Sequence, residues 1–123
     1  MSERYSRNFL VSEFRSPDGK DKAARMDPVF MTKLQAIRDE LGKSIVINSA
    51  IRSKEHNRLV GGKSNSQHLV RPCACADIST KGWHPTTKHK FLELVFRYGF
   101  TGVGVADTFI HIDLRKQRSI WTY

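Results

Sequence analysis

Asp27-Pro28 opens the segment that most limits what this chain can fold into. A short acidic side chain can accept from the free N–H groups of a helix's first turn, and proline suits the first helical position. Behind the pair, Val29, Phe30, Leu34, Ile37 and Leu41 recur at helical spacing, and Gly42 ends the run. Ser44 to Ala50 follows, with Ile45 and Ile47 alternating with Val46 and Asn48 in a β-like pattern. Residues 53–59 suit a short helical turn, and Gly61-Gly62-Lys63-Ser64-Asn65 must be a loop. Cys73 to Ser79 reads as a buried strand. A second helix is expected after Pro85, with Phe91, Leu92, Val95 and Phe96 on one face and Gly99 at its end. Two short strands come next, near Gly102 to Val105 and Phe109 to Leu114, with Asp107-Thr108 in the turn between them. Helices and strands are mixed without a regular β-α-β repeat. The expected fold class is α+β, a single domain over residues 1–123 with a mainly antiparallel sheet packed against helices.

Composition excludes several classes. The 123 residues fit one domain, and 39% hydrophobic with 10% aromatic residues is enough to bury a core. The longest apolar runs, such as Ile45-Val46-Ile47, are far too short to span a bilayer. Met1 to Arg7 has no apolar stretch of signal-peptide type, so the protein is expected to be made in the cytoplasm. To act outside the cell, it must be released or carried by something else. The net charge of +9 favours an anionic partner, nucleic acid or an acidic wall polymer, although a generally positive soluble surface also accounts for it. The basic residues are scattered and no DNA-reading motif is present, so no specific nucleic acid is expected. The chain is expected to be a monomer. Cys73 and Cys75 are too close for an unstrained disulfide and do not match a zinc-finger pair. They read as reduced, small, buried side chains.

His68, Asp77 and His111 can form a hydrolytic zinc site. Catalytic zinc typically takes three ligands from histidine and carboxylate and leaves one position for water, whose pKa it lowers towards about 7. His56, His84 and His89 lie in polar segments and read as surface residues.

A set of short motifs extends this reading. Ser49-Ala50-Ile51-Arg52-Ser53, His56-Asn57, Val60-Gly61-Gly62, Ser64 to Leu69, Ala76-Asp77-Ile78 and Phe109 to Asp113 together resemble the M15 peptidase family. That family includes zinc D-Ala-D-Ala carboxypeptidases, D-Ala-D-Ala dipeptidases and phage L-alanyl-D-glutamate endopeptidases. The resemblance runs from about residue 8 to 123. It implies an α+β zinc peptidase fold related to the hedgehog signalling domain, with peptidoglycan stem peptide as substrate. His68, Asp77 and His111 fall on the family's metal ligands. Ser66 falls on a substrate-binding serine, and Arg52 on an arginine that can hold a substrate carboxylate through a planar fork of donors. A phage or prophage lysis enzyme, a virion-associated hydrolase and a cytoplasmic dipeptidase all fit.

The chain departs from the family pattern twice. Arg71 stands where a glycine is usual, and Asp77 comes nine residues after His68 instead of seven, which implies a two-residue insertion within Leu69 to Pro72. Cys73, Cys75 and Asp77 would then share one strand face, so a cysteine could lie near the metal. Thr108 also replaces an acid common three residues before the last histidine. Asp107 and Asp113 are the nearby candidates for the proton-transferring acid, with Asp107 preferred because a turn residue can reach over the metal. Asp113 could instead orient His111 from behind. The alternative to an enzyme is a non-catalytic module that keeps zinc for stability and binds wall peptides or nucleic acid.

Overall fold

Asp27 caps the first long helix: its Oδ2 accepts from the Phe30 N–H at 2.9 Å, and helix α1 runs over Pro28–Leu41. Gly42 ends it in the left-handed region, φ 67°, and its N–H closes on the Arg38 carbonyl. That conformation suits a residue without Cβ. The computed structural model describes residues 3–123. In chain order the other elements are β1 (Arg4–Ser6), β2 (Phe9–Leu10), β3 (Ile47–Ser49), α2 (Lys54–Leu59), β4 (Cys75–Ser79), α3 (Pro85–Arg97), β5 (Gly102–Val105), β6 (Phe109–Asp113) and β7 (Ser119–Thr122). Short 3-10 turns cover Val11–Phe14 and Gln67–Leu69.

The main sheet has the order β3-β4-β6-β5-β7, and β1 pairs separately with β2. The three inner pairings are antiparallel and β7 joins β5 in parallel, so the α+β expectation with a mainly antiparallel sheet holds. Side chains alternate between the two faces. One face carries Ala76, Ile78, Val103, Ile110 and Ile112. These join Phe30, Leu34 and Ile37 of α1 and Phe91, Leu94 and Val95 of α3 in one buried apolar cluster. Phe30 meets Phe100 edge to face at 5.5 Å within it. The helices thus cover one face of the sheet, and the opposite face is left for chemistry.

Five details differ from the sequence reading. Phe96 is 45% exposed, and Leu94 takes its place in the core. Phe91, Leu94 and Val95 stand at i, i+3 and i+4, whereas i+5 has rotated off the stripe. Val29 is likewise turned outward, one position before the buried Phe30. The run 44–50 is a strand only over Ile47–Ser49, and the buried strand starts at Cys75 rather than Cys73, which makes an isolated bridge to Met26. Strand β7 was not expected at all. No helix among the described residues is long and apolar enough to cross a membrane.

Candidate active site

Asp77 of β4 and His111 of β6 are register partners on the face away from the core. His68 reaches them from the Gln67–Leu69 turn, where the Ser66 hydroxyl accepts from the His68 backbone N–H at 3.1 Å. All three are buried, and one ligand atom from each lies within 4.8 Å of the others.

Hydrogen bonding fixes what each ring offers. His68 Nδ1 lies 2.6 Å from the Ala50 carbonyl oxygen. A carbonyl can only accept, so Nδ1 carries the proton and Nε2 keeps its lone pair, 3.4 Å from Asp77 Oδ1. His111 has its Nε2 at 2.7 Å from Asp113 Oδ2 and its Nδ1 at 2.8 Å from the same Asp77 Oδ1. Arg115 forks onto Asp113 through Nε at 2.9 Å and Nη2 at 2.6 Å. Burial works against the Asp113 carboxylate, but its bonds to His111 and Arg115 outweigh this and hold its pKa below the usual range. Nε2 donates to the Asp113 carboxylate, so Nδ1 of His111 presents its lone pair towards Asp77 when the ring is neutral and donates to Asp77 when the ring is protonated. Two imidazole lone pairs and a carboxylate oxygen then converge on one point, an arrangement that calls for a cation. A proton meets that need in part: burial disfavours a charged His111, yet its bonds to Asp113 and Asp77 raise its pKa overall. The N, N, O donor set is also one that catalytic zinc takes, so these residues fit the metal.

Arg52 holds the other side of Asp77. Its Nη2 donates to Asp77 Oδ2 at 3.4 Å, its Nε to Ser49 Oγ at 3.0 Å and its Nη1 to Asn57 Oδ1 at 3.2 Å. Burial raises the Asp77 pKa, and bonds to His111 and His68 more than reverse this. Asn57 also donates to the Lys63 carbonyl, tying the glycine loop to Arg52. Gly62 is required there, since a Cβ would lie 2.1 Å from Asn57 Oδ1. Arg71, at the usual glycine position, donates to the carbonyls of His68 and Arg52 and staples their two segments together.

The three residues lie in an open cleft with unlike walls. Arg52, Gly62, Lys63, Asn65, Ser66 and Gln67 form a polar wall. Phe109, Arg115, Trp121 and Tyr123 form an aromatic one, with Phe109 and Tyr123 at 5.0 Å and His111 and Trp121 at 5.4 Å between ring centroids.

The structure thus gathers His68, Asp77, His111, Arg52 and Ser66 in one cleft. Asp113 is fully buried behind His111, and Asp107 is exposed in the β5–β6 turn, outside the residues that line the cleft. Cys73 and Cys75 are buried and free, with sulfurs 3.7 Å apart, and neither joins the metal-binding group. His84 caps α3 through Nδ1, and neither it nor His56 nor His89 lines the cleft. Arg115, Trp121 and Tyr123 escaped the sequence reading. Strand β7 carries Trp121, with Arg115 before it and Tyr123 just after, and no clear alternation in 119–123 signals it.

Residues 5–113 match the family model described as Peptidase M15. The chain belongs to the M15 peptidase family. M15 peptidases are metal-dependent, and the buried His68, Asp77 and His111 group is suited to bind a metal. No curated protein matches the chain. Arg115, Trp121 and Tyr123 lie beyond the segment matched to the M15 model.

Proposed function

We propose that this M15 peptidase is a zinc enzyme that hydrolyses peptide bonds in bacterial peptidoglycan. One observation carries the reading: two imidazoles and a carboxylate, with His68 Nδ1 on the Ala50 carbonyl and His111 Nε2 on Asp113, converge at the base of an open cleft. His68 Nε2, His111 Nδ1 and Asp77 would hold the ion. Zinc supplies Lewis acidity there, polarising a carbonyl and acidifying water.

The chain's own residues do the rest. Arg52 spends three of the guanidinium's five N–H groups on Ser49, Asn57 and Asp77, which leaves two for a substrate carboxylate. Ser66 stands beside it on the polar wall; its oxygen accepts from the His68 N–H through one lone pair, which leaves the O–H available to donate to substrate. Asp113 acts through His111, being buried and forked by Arg115. Asp107 is the acid we assign to proton transfer to the leaving amine, a role that requires the β5–β6 turn to bring it from outside the cleft over the metal site. The net charge of +9 favours approach to an anionic wall. The work is expected after release of the protein by a lysis system or delivery within a virion, on stem peptides, by a monomer.

A second reading has its own support. Asp77 is the sole carboxylate lining the cleft among the described residues, which suits a module that binds wall peptides without cutting them. Zymography on purified peptidoglycan, with and without a chelator, separates the two. Clearing that the chelator abolishes and zinc restores supports the enzyme. Zinc binding without clearing supports the module. Mass spectrometry of the released muropeptides then identifies the bond, a carboxypeptidase trimming the stem's end and an endopeptidase cutting within it.

A further inference from the structure

We propose that Arg115 and Trp121 are positioning residues that clamp Asp113 onto His111 and so keep Nδ1 of that ring turned to the metal. The proposal rests on reading His68, Asp77 and His111 as a metal site.

The clamp is built on a floor of two glycines. Gly102 and Gly104 stand on the cleft face of β5, opposite Asp113 and His111. A Cβ on Gly102 would lie 1.9 Å from Asp113 Oδ1, and one on Gly104 would lie 2.5 Å from the Trp121 ring. The carboxylate and the indole therefore fill the space that side chains at these positions would occupy. Trp121 is fixed from below, since β7 pairs with β5 and puts Trp121 beside Gly104. From there the indole reaches both His111 and Arg115, whose guanidinium carbon lies 4.8 Å from the ring centroid.

Arg115 joins the chain by three contacts: its backbone N–H, Nε and Nη2 all donate to Asp113. Its side chain is 27% exposed while that of Asp113 is fully buried. A partly exposed guanidinium is drawn to water, and an ion pair with one solvated partner is weak. Stacking against Trp121 restricts the guanidinium to the orientation that meets Asp113. Asp113 then has one geometry, and Nε2 of His111 has one acceptor. Trp121 belongs to no part of the apolar core, which lies on the other side of the sheet. Anchoring core packing therefore does not explain its place.

The test uses the full chain, stripped of metal by chelation. Zinc affinity is measured by competition with a chromophoric chelator, coordination by the visible spectrum of the cobalt(II) form, and folding by melting of the metal-free protein. Arg115→Met and Trp121→Leu are expected to weaken zinc binding by up to about 10-fold, the low end of the roughly 10–100-fold cost of losing the direct partner of a ligating histidine, since Asp113 itself stays in place. Both should also alter the cobalt spectrum, while Trp121→Phe, which keeps a stacking face, stays near wild type. If Trp121→Leu fails to fold, Arg115→Met alone decides. Unchanged affinity and spectrum in folded Arg115→Met overturns the clamp, as does an equal loss in Trp121→Phe and Trp121→Leu. Wild-type protein that binds no zinc would overturn the metal site itself, a result separate from failure of the variants.

Discussion

Replacing Gly102 with alanine puts a methyl group where Asp113 already stands. The added Cβ would meet Asp113 Oδ1, Cγ and Oδ2 at 1.9, 2.3 and 2.4 Å. No rotamer of alanine relieves this, so either the carboxylate or strand β5 must shift. The carboxylate accepts from Arg115 at three donors and from His111 Nε2, and it is fully buried. Forced overpacking costs roughly 1–3 kcal/mol. Losing a hydrogen bond to a charged group adds about 1.5–3 kcal/mol, part of which Arg115 recovers from water. The two ranges add to about 2.5–6 kcal/mol, and with the part recovered from water the expected cost is about 3–4 kcal/mol. For a domain of this size that corresponds to a fall of roughly 10–20 °C in melting temperature. Gly104→Ala should cost less, about 1–2 kcal/mol, because Trp121 sits on the edge strand β7 and can swing outward. Thermal and urea denaturation of the metal-free protein measures both. A Gly102→Ala protein that melts with wild type, or a Gly104→Ala protein that is the less stable of the two, would refute the reasoning.

Other expectations follow from the same residues. Asp107→Asn should cut peptidoglycan turnover by about 100-fold or more while zinc affinity stays unchanged; full turnover would move proton transfer elsewhere. Zinc binding requires neutral histidines, and the His111 pKa lies above its ordinary 6.5, so affinity should begin to fall already above pH 6.5 as the solution is acidified. Competition titrations from pH 5 to 8 would show it, and a flat profile would contradict the assignment of His111 as a ligand. In the metal-free protein, raised His111 contributes stability that is complete below pH 6.5 and lost as pH climbs through its folded value. Lowered Asp77 and Asp113 contribute stability that is present above their ordinary 3.8 and lost as pH falls through their folded values. Metal-free protein should therefore be most stable in mild acid, as denaturation at fixed temperature across pH can report. Leu34→Ala, emptying a fully buried position of α1, should cost about 2–5 kcal/mol in the same assay.

The helices were legible because their signals are local. Asp27-Pro28 and Gly42 mark the ends of α1 by the hydrogen bonds that those residues alone can make there. The residues that converge in the cleft, His68, Asp77 and His111, were singled out through motif resemblance, and the spacing of His68 and Asp77 was too irregular to have revealed them alone. Strand β7 was not legible, because Ser119–Thr122 is short and gains its place only by pairing with β5, a contact between residues 17 apart in sequence such as Gly104 and Trp121. Asp113 illustrates a different limit. Its position two residues from His111 placed it on the right face, but only the fork from Arg115 and the space left by Gly102 show that it lies behind the ring, out of the cleft. Helical spacing from Phe91 favours Leu94 at i+3 inside over Phe96 at i+5, and the sequence reading went astray by grouping Phe96 with the stripe on hydrophobicity.

The alternation along β4 and β6 ties chemistry to folding in a way that leaves few half-measures. Ala76, Ile78, Ile110 and Ile112 face the helices, and Asp77, His111 and Asp113 face the cleft. Slippage of either strand by a single residue would thrust carboxylates and an imidazole among phenylalanines and turn isoleucines out to water. A misaligned chain would thus be unstable as well as inert. Active fraction and folded fraction should be nearly one number in any preparation, and metal bound at His68, Asp77 and His111 would report both.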